Sequence, residues 1–251
     1  MIDTATQVHT STSARRILSF DEAFSVHRKL LGIGVILVIA HLMVMVLKYY
    51  FQRDLVYGLV PLFDFYEEHN VPTYFSSLNL LLTAAILFVT ARLESVRNPF
   101  NTRAWQVLAL GFAFMSIDEF ADLRHILSRA VHGAAGGKLD MLPFLSVAWT
   151  VPVALIVVML GVYFIPFMMR LERVYLVHFG LAGACFVFAT IGLETFEGDH
   201  VAITNGVRDL TFTLMVTIEE TMEIFSILYF QYFLIKYVRQ HYPDMGLRLN
   251  Y

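Results

Sequence analysis

Residues 116–123 read SIDEFADL, and residues 217–224 read TIEETMEI. Both octets follow one template: Ser or Thr, Ile, two acids, two further residues, a third acid, then Leu or Ile. The first follows the apolar run VLALGFAFM, and the second precedes FSILYFQYF. Acids embedded in runs this apolar point to helices whose surroundings are hydrocarbon, where a charged side chain costs roughly 2.5–3.5 kcal/mol at a helix centre. On a helix turning about 100° per residue, positions i, i+4 and i+7 share a face. That spacing places Asp118, Asp122 and His125 on one stripe, and Glu219 and Glu223 on another with Glu220 beside it.

The rest of the chain agrees with this setting. It has 251 residues, of which 57% are hydrophobic and 16% charged, with 22 Phe. Soluble domains are nearer 45–50% apolar and a quarter charged. Six apolar segments are long enough to span a bilayer, at approximately 30–51, 73–93, 104–126, 142–168, 175–195 and 209–236. The expected fold is therefore all-α, a polytopic membrane bundle of six transmembrane helices. Residues 1–29 and 237–251 read as cytoplasmic tails flanking a membrane domain at 30–236. The aromatic, acidic stretch 52–72 reads as an interfacial loop. No signal-peptide pattern opens the chain. The single Cys185 excludes an internal disulfide and any multi-cysteine metal centre. A net charge of −3 gives no reason to expect nucleic acid.

Lys and Arg placement orients the spans. With the N-terminus inside, the inner segments hold 12 of the 18 basic residues. These are Arg15, Arg16, Arg28, Lys29, Arg92, Arg97, Arg103, Arg170, Arg173, Lys236, Arg239 and Arg248. The bias puts both termini in the cytoplasm. All the acidic sets then fall in the outer half of the membrane, and helices 3, 5 and 6 can build one pocket open to the outside.

Compensation for so many acids takes one of three forms: bound metal cations, protons, or a water-filled cation path. Di-metal carboxylate sites in helical bundles combine Glu with Glu-x-x-His, because i and i+3 both face the core. Asp122-x-x-His125 and Glu197-x-x-His200 have that spacing. The candidate metal ligands are Asp118, Glu119, Asp122, His125, Glu194, Glu219, Glu220 and Glu223. Secondary candidates are Glu197, His200, Ser76, Ser77 and Asn79. Gly198 offers a helix stop between Glu197 and His200 that would turn His200 away. Oxygen and imidazole donors suit Fe, Mn or Zn. Neither haem nor nucleotide is expected: His41 and His178 lie at different depths, and His41 reads as a packing or hydrogen-bonded residue. The shared template also suggests an inverted repeat, but inversion would carry an outer-half motif to the inner half.

Four stretches together resemble a family of uncharacterised bacterial multi-pass membrane proteins. They are VPTYFSSLNLLLTAAILF from residue 71, SIDE from 116, IGLE from 191 and VTIEETMEI from 216. The likeness covers most of residues 62–236. It implies a bacterial inner-membrane location and falls on Asp118, Glu119, Glu194, Glu219, Glu220 and Glu223, with Ser76 and Ser77 as polar neighbours. That family carries His-Glu shortly after its Ser-Leu-Asp-Glu; here the place reads Arg124-His125, so His125 would serve from a shifted position. No activity comes with the resemblance.

The leading expectation is an intramembrane carboxylate/His site binding one or two metal ions. A metal-dependent reaction on a lipid-soluble substrate is one possible outcome, and the sequence leaves open whether the protein is an enzyme. The alternatives are a cation- or proton-coupled transporter or channel, and an accessory subunit of a larger membrane complex. Expected partners are membrane lipids, a lipid-soluble substrate or other subunits. The inner halves of helices 3, 5 and 6 read as dry, which disfavours a through-path.

Overall fold

The computed structural model describes residues 19–123, 126, 133 and 150–243. Among these residues the regular structure is helical throughout, with no strand. Helix α1 spans Phe20–Tyr49 and opens on a reciprocal cap, in which Ser19 accepts from the Glu22 amide and Glu22 from the Ser19 amide. A short helix α2, Leu59–Phe63, leads to α3, Val71–Glu94, which Asn70 caps by accepting from the Thr73 amide at 3.1 Å. Pro99 begins α4, Pro99–Ala121, behind an Asn98 cap. Helix α5 covers Thr150–Met168. Helix α6 starts as Arg173–Val187, widens into a π turn over Phe188–Leu193 and continues as Glu194–Ile203. Helix α7, Leu210–His241, starts at Asp209, whose side chain accepts from the Phe212 amide at 3.0 Å.

The long helices alternate in direction. At one end, the Tyr49 hydroxyl meets Thr213, Lys48 pairs with Asp64 at 2.8 Å, and Arg208 lies over Tyr66. At the other end, Arg97 donates to the His241 carbonyl at 3.0 Å, the Tyr242 hydroxyl donates to Glu94, and Arg170 lies 3.9 Å above the Phe100 ring. Arg239 over Phe24 brings the start of α1 to this second end. Trp105, fully buried, locks the interior there, with Phe167, Phe179 and Tyr237 around it. Burial and the Glu94 bond push the Tyr242 phenol up to about 12.

Large apolar side chains face outward while several polar ones are buried within the apolar core. Met43 is 63% and Leu110 71% exposed, while Asp64 and Gln231 are each 1% exposed. An apolar outer surface around partnered polar groups such as these suits a hydrocarbon solvent. Three helices among the described residues are long and apolar enough to cross a membrane: Phe20–Tyr49, Val71–Glu94 and Arg173–Ile203.

Two expectations are revised. The helix expected over 104–126 stops at Ala121, because Asp122 takes a left-handed conformation at φ 52°. The helix expected over 175–195 continues to Ile203, straight through Gly198. Within the loop at 52–72 the chain turns inward at Phe65, which stacks on His41 and whose amide donates to His41 Nδ1 at 3.0 Å. His41 lies eight residues, about 12 Å, from the end of α1. With Nδ1 accepting, its Nε2 carries the hydrogen and donates to Thr217 Oγ1 at 2.8 Å. His41 is thus the satisfied histidine the sequence suggested, and it ties α1, the inward loop and α7 together.

Candidate carboxylate site

The site is built where α6 and α7 face each other. Glu219 and Glu223, four residues apart on α7, share a face as their spacing requires. On α6 the π turn supplies the matching wall. A π turn holds one more residue than an α turn and rotates everything after it. Here it precedes Glu194 and Glu197 directly. Within it, Thr190 Oγ1 lies 2.7 Å from Glu223 Oε1 and 3.0 Å from the Phe186 carbonyl. Glu197 and Glu219 lie close enough across the seam to act on each other electrostatically, and Glu194 and Glu223 act on both. Glu197 is 7% and Glu219 6% exposed, and Oε1 of Glu197 is buried with no hydrogen-bond partner.

Carboxylates gathered in a low-dielectric interior raise one another's cost of ionisation, which a proton or another cation relieves. Among the described residues, no group of three or more His, Cys, Asp or Glu side chains is arranged to hold a metal ion.

Among the described contacts the site is drawn from α6 and α7. Glu197, a secondary candidate in the sequence, stands with Glu219, Glu194 and Glu223. Glu220 is half-buried on α7. Asp118 and Glu119 are half-buried at the end of α4. The stripe expected through Asp118, Asp122 and His125 is broken at Asp122, which leaves helical geometry, and His125 lies outside the described residues. His200 does not join Glu197. Its Nε2 is 2.9 Å from Asp209 Oδ1, at the corner between α6 and α7. Ser77 and Ser116 each donate to the other's carbonyl at 2.8 Å, clamping α3 to α4. Ser76 Oγ is buried with no hydrogen-bond partner.

Further along the bundle, polar side chains also pair between helices. Gln231 Nε2 approaches the Asn79 carbonyl, Asn79 Oδ1 and Thr83 Oγ1 at 3.0, 2.7 and 2.7 Å. This cluster absorbs Asn79, which had been grouped with the acids. His178 Nδ1 meets the Tyr229 hydroxyl at 2.5 Å, and Phe233 stacks on that imidazole. Single polar residues within long apolar runs gave little signal of these pairings.

The chain matches the family described as a domain of unknown function (DUF8692) over residues 30–237. It belongs to that family. The match begins within α1 and closes within α7, so it contains both walls of the carboxylate site and the inner polar pairs. No curated protein and no solved structure matches the chain. The family's description attaches no reaction to the matched span.

Proposed function

We propose that this DUF8692 member is a six-span protein of a bacterial inner membrane, with both ends in the cytoplasm. In this reading its buried glutamates take up and release a proton as part of cation- or proton-coupled transport. The observation that carries the reading is the gathering of Glu194, Glu197, Glu219 and Glu223 on facing helices, with Glu197 and Glu219 buried. A proton shared by Glu197 and Glu219 would lower the charge of that cluster with no further ligands.

The seam between α6 and α7 supports coupling along the membrane normal. On α7, Glu219, Glu223, Ser226 and Tyr229 follow one another at helical spacing. Ser226 donates to the Glu223 carbonyl at 2.9 Å, and Tyr229 meets His178 of α6. Glu219 lies about 14 Å and Tyr229 about 28 Å along α7 from its start. Titratable groups staged in this way are the usual elements of intramembrane proton relays.

The test is labelling with a lipid-soluble carbodiimide, which attacks protonated carboxyls, together with elemental analysis of the same purified protein. Adducts on Glu197 or Glu219, lost in Glu197→Gln/Glu219→Gln and accompanied by no stoichiometric metal, are the expected result. One or two bound metal ions lost in that double variant, with unreactive acids in the parent, would overturn the proton assignment in favour of a metal centre.

A further inference from the structure

A cavity of about 350 Å³ lies between α1, α3 and α7, on the far side of α7 from the carboxylate seam. Ala23 and Leu30 of α1, Ala85 and Val89 of α3 and Ile235 of α7 are among its lining, with His27 and Gln231 as interior polar groups. Its volume falls at the small end of ligand sites, which are mostly apolar with a few placed polar groups. From Ser19 to Leu30 the α1 wall runs about 16 Å, the length of an extended lipid-like chain rather than of a water cluster.

Both hydrogens of the Gln231 amide are committed to the three oxygens of Asn79 and Thr83, all within 3.0 Å. His27 is 7% exposed and its Nδ1 has no hydrogen-bond partner. A buried ring nitrogen with no partner, on the wall of an apolar cavity, favours a ligand that brings a hydrogen-bonding group to it.

We propose that this cavity binds a lipid-soluble alcohol: a single extended apolar chain, such as an isoprenoid, with one hydroxyl that donates to His27 Nδ1. A purely apolar chain would leave Nδ1 unsatisfied. A polar molecule without the chain would leave the aliphatic walls uncovered. The site is separate from the carboxylate pair, so its failure and that of the transport reading are independent.

The experiment uses the full chain in detergent and a dodecanol carrying a diazirine, with labelled peptides mapped by mass spectrometry. Farnesol should compete for labelling on α1, α3 and α7, while farnesyl methyl ether, which lacks the donor, should compete about tenfold less well. His27→Phe should remove that difference between competitors. Ala85→Trp, which fills the cavity from an exposed position on α3 and leaves the buried core untouched, should abolish labelling there. Equal competition by alcohol and ether, unchanged labelling in Ala85→Trp, or no labelling of these helices would each overturn the proposal.

Discussion

In the proposed reading Glu197 and Glu219 share a proton, which gives each carboxyl a partner in an interior that offers Glu197 Oε1 none. A glutamine at one position reproduces the neutral member of the pair in size and hydrogen bonding. Glu219→Gln should therefore fold with little change in thermal midpoint in detergent. Glu219→Ala should be less stable by about 1–3 kcal/mol, the cost of leaving a buried polar group unsatisfied. Differential scanning fluorimetry of the two variants checks this, and equal destabilisation would show that the pair does not act through a shared hydrogen. Half of this pair was readable from residue spacing. The i, i+4 relation of Glu219 and Glu223 belongs to any α-helix, so the sequence revealed it. Glu197 was harder to read, since LETFEGDH contains a glycine and follows the last clearly apolar turn, which suggested an interfacial end. Packing against α7 keeps the helix intact through Gly198 and buries Glu197.

At the scale of elements, the π turn of α6 decides which residues face α7. Nothing in FATIGL announces it, because a π turn reflects a one-residue excess against a neighbouring helix rather than a local preference. Inside it, a Cβ added to Gly192 would come within 3.0 Å of the Phe188 ring, so the widened turn closes tightly on itself. Deleting Ile191 should restore plain α geometry and rotate Glu194 and Glu197 by about 100° away from α7. The expected outcome is unchanged helical circular dichroism with loss of carbodiimide labelling at Glu197; retained labelling would mean that the turn does not set the wall. The corner after α6 carries a pH dependence of its own. Asp209 is held below the usual carboxylate range by the Phe212 amide first and by His200 second. A depressed carboxyl contributes stability above its unfolded pKa and loses it as pH falls through its folded value. Thermal midpoints should therefore drop on acidification toward and below about pH 4, and Asp209→Asn should flatten that part of the profile. An identical acid limb in both proteins would assign the loss elsewhere. Hydropathy located α1, α3 and α6, the three helices that qualify as spans by length and composition. It gave no sign of the inward turn at Phe65, because the apolar part of 52–72 is too short to span and the packing comes from tertiary bonds to His41 and Lys48.

For the whole molecule, the alternating helices and the basic bias make one joint statement about topology. Contacts among Arg97, His241, Glu94, Tyr242, Arg170 and Phe100 gather the α3–α4 turn, the α5–α6 turn and the end of α7 at one end. Those among Lys48, Asp64, Tyr49, Thr213, Arg208 and Tyr66 gather the inward loop and the α6–α7 corner at the other. The first end carries the arginine excess, and in the proposed orientation it faces the cytoplasm. In a Cys185→Ala background, which removes the single native thiol, new cysteines can report each end separately. Tyr57, Ile203 and Val96 are fully or largely exposed and suit that purpose. Tyr57→Cys and Ile203→Cys should react with a membrane-impermeant maleimide on intact cells stripped of any outer barrier, whereas Val96→Cys should react only after the membrane is opened. The reverse pattern would invert the orientation and put the carboxylate pair in the cytoplasmic half. Reaction of Tyr57→Cys and Ile203→Cys from opposite sides would break the alternation itself, since α1, α3, α4, α5 and α6 could not then each cross once. The expected pattern would place Glu197 and Glu219 nearer the outer face, with the His178–Tyr229 pair between them and the cytoplasm, the order in which a proton entering from outside would meet them.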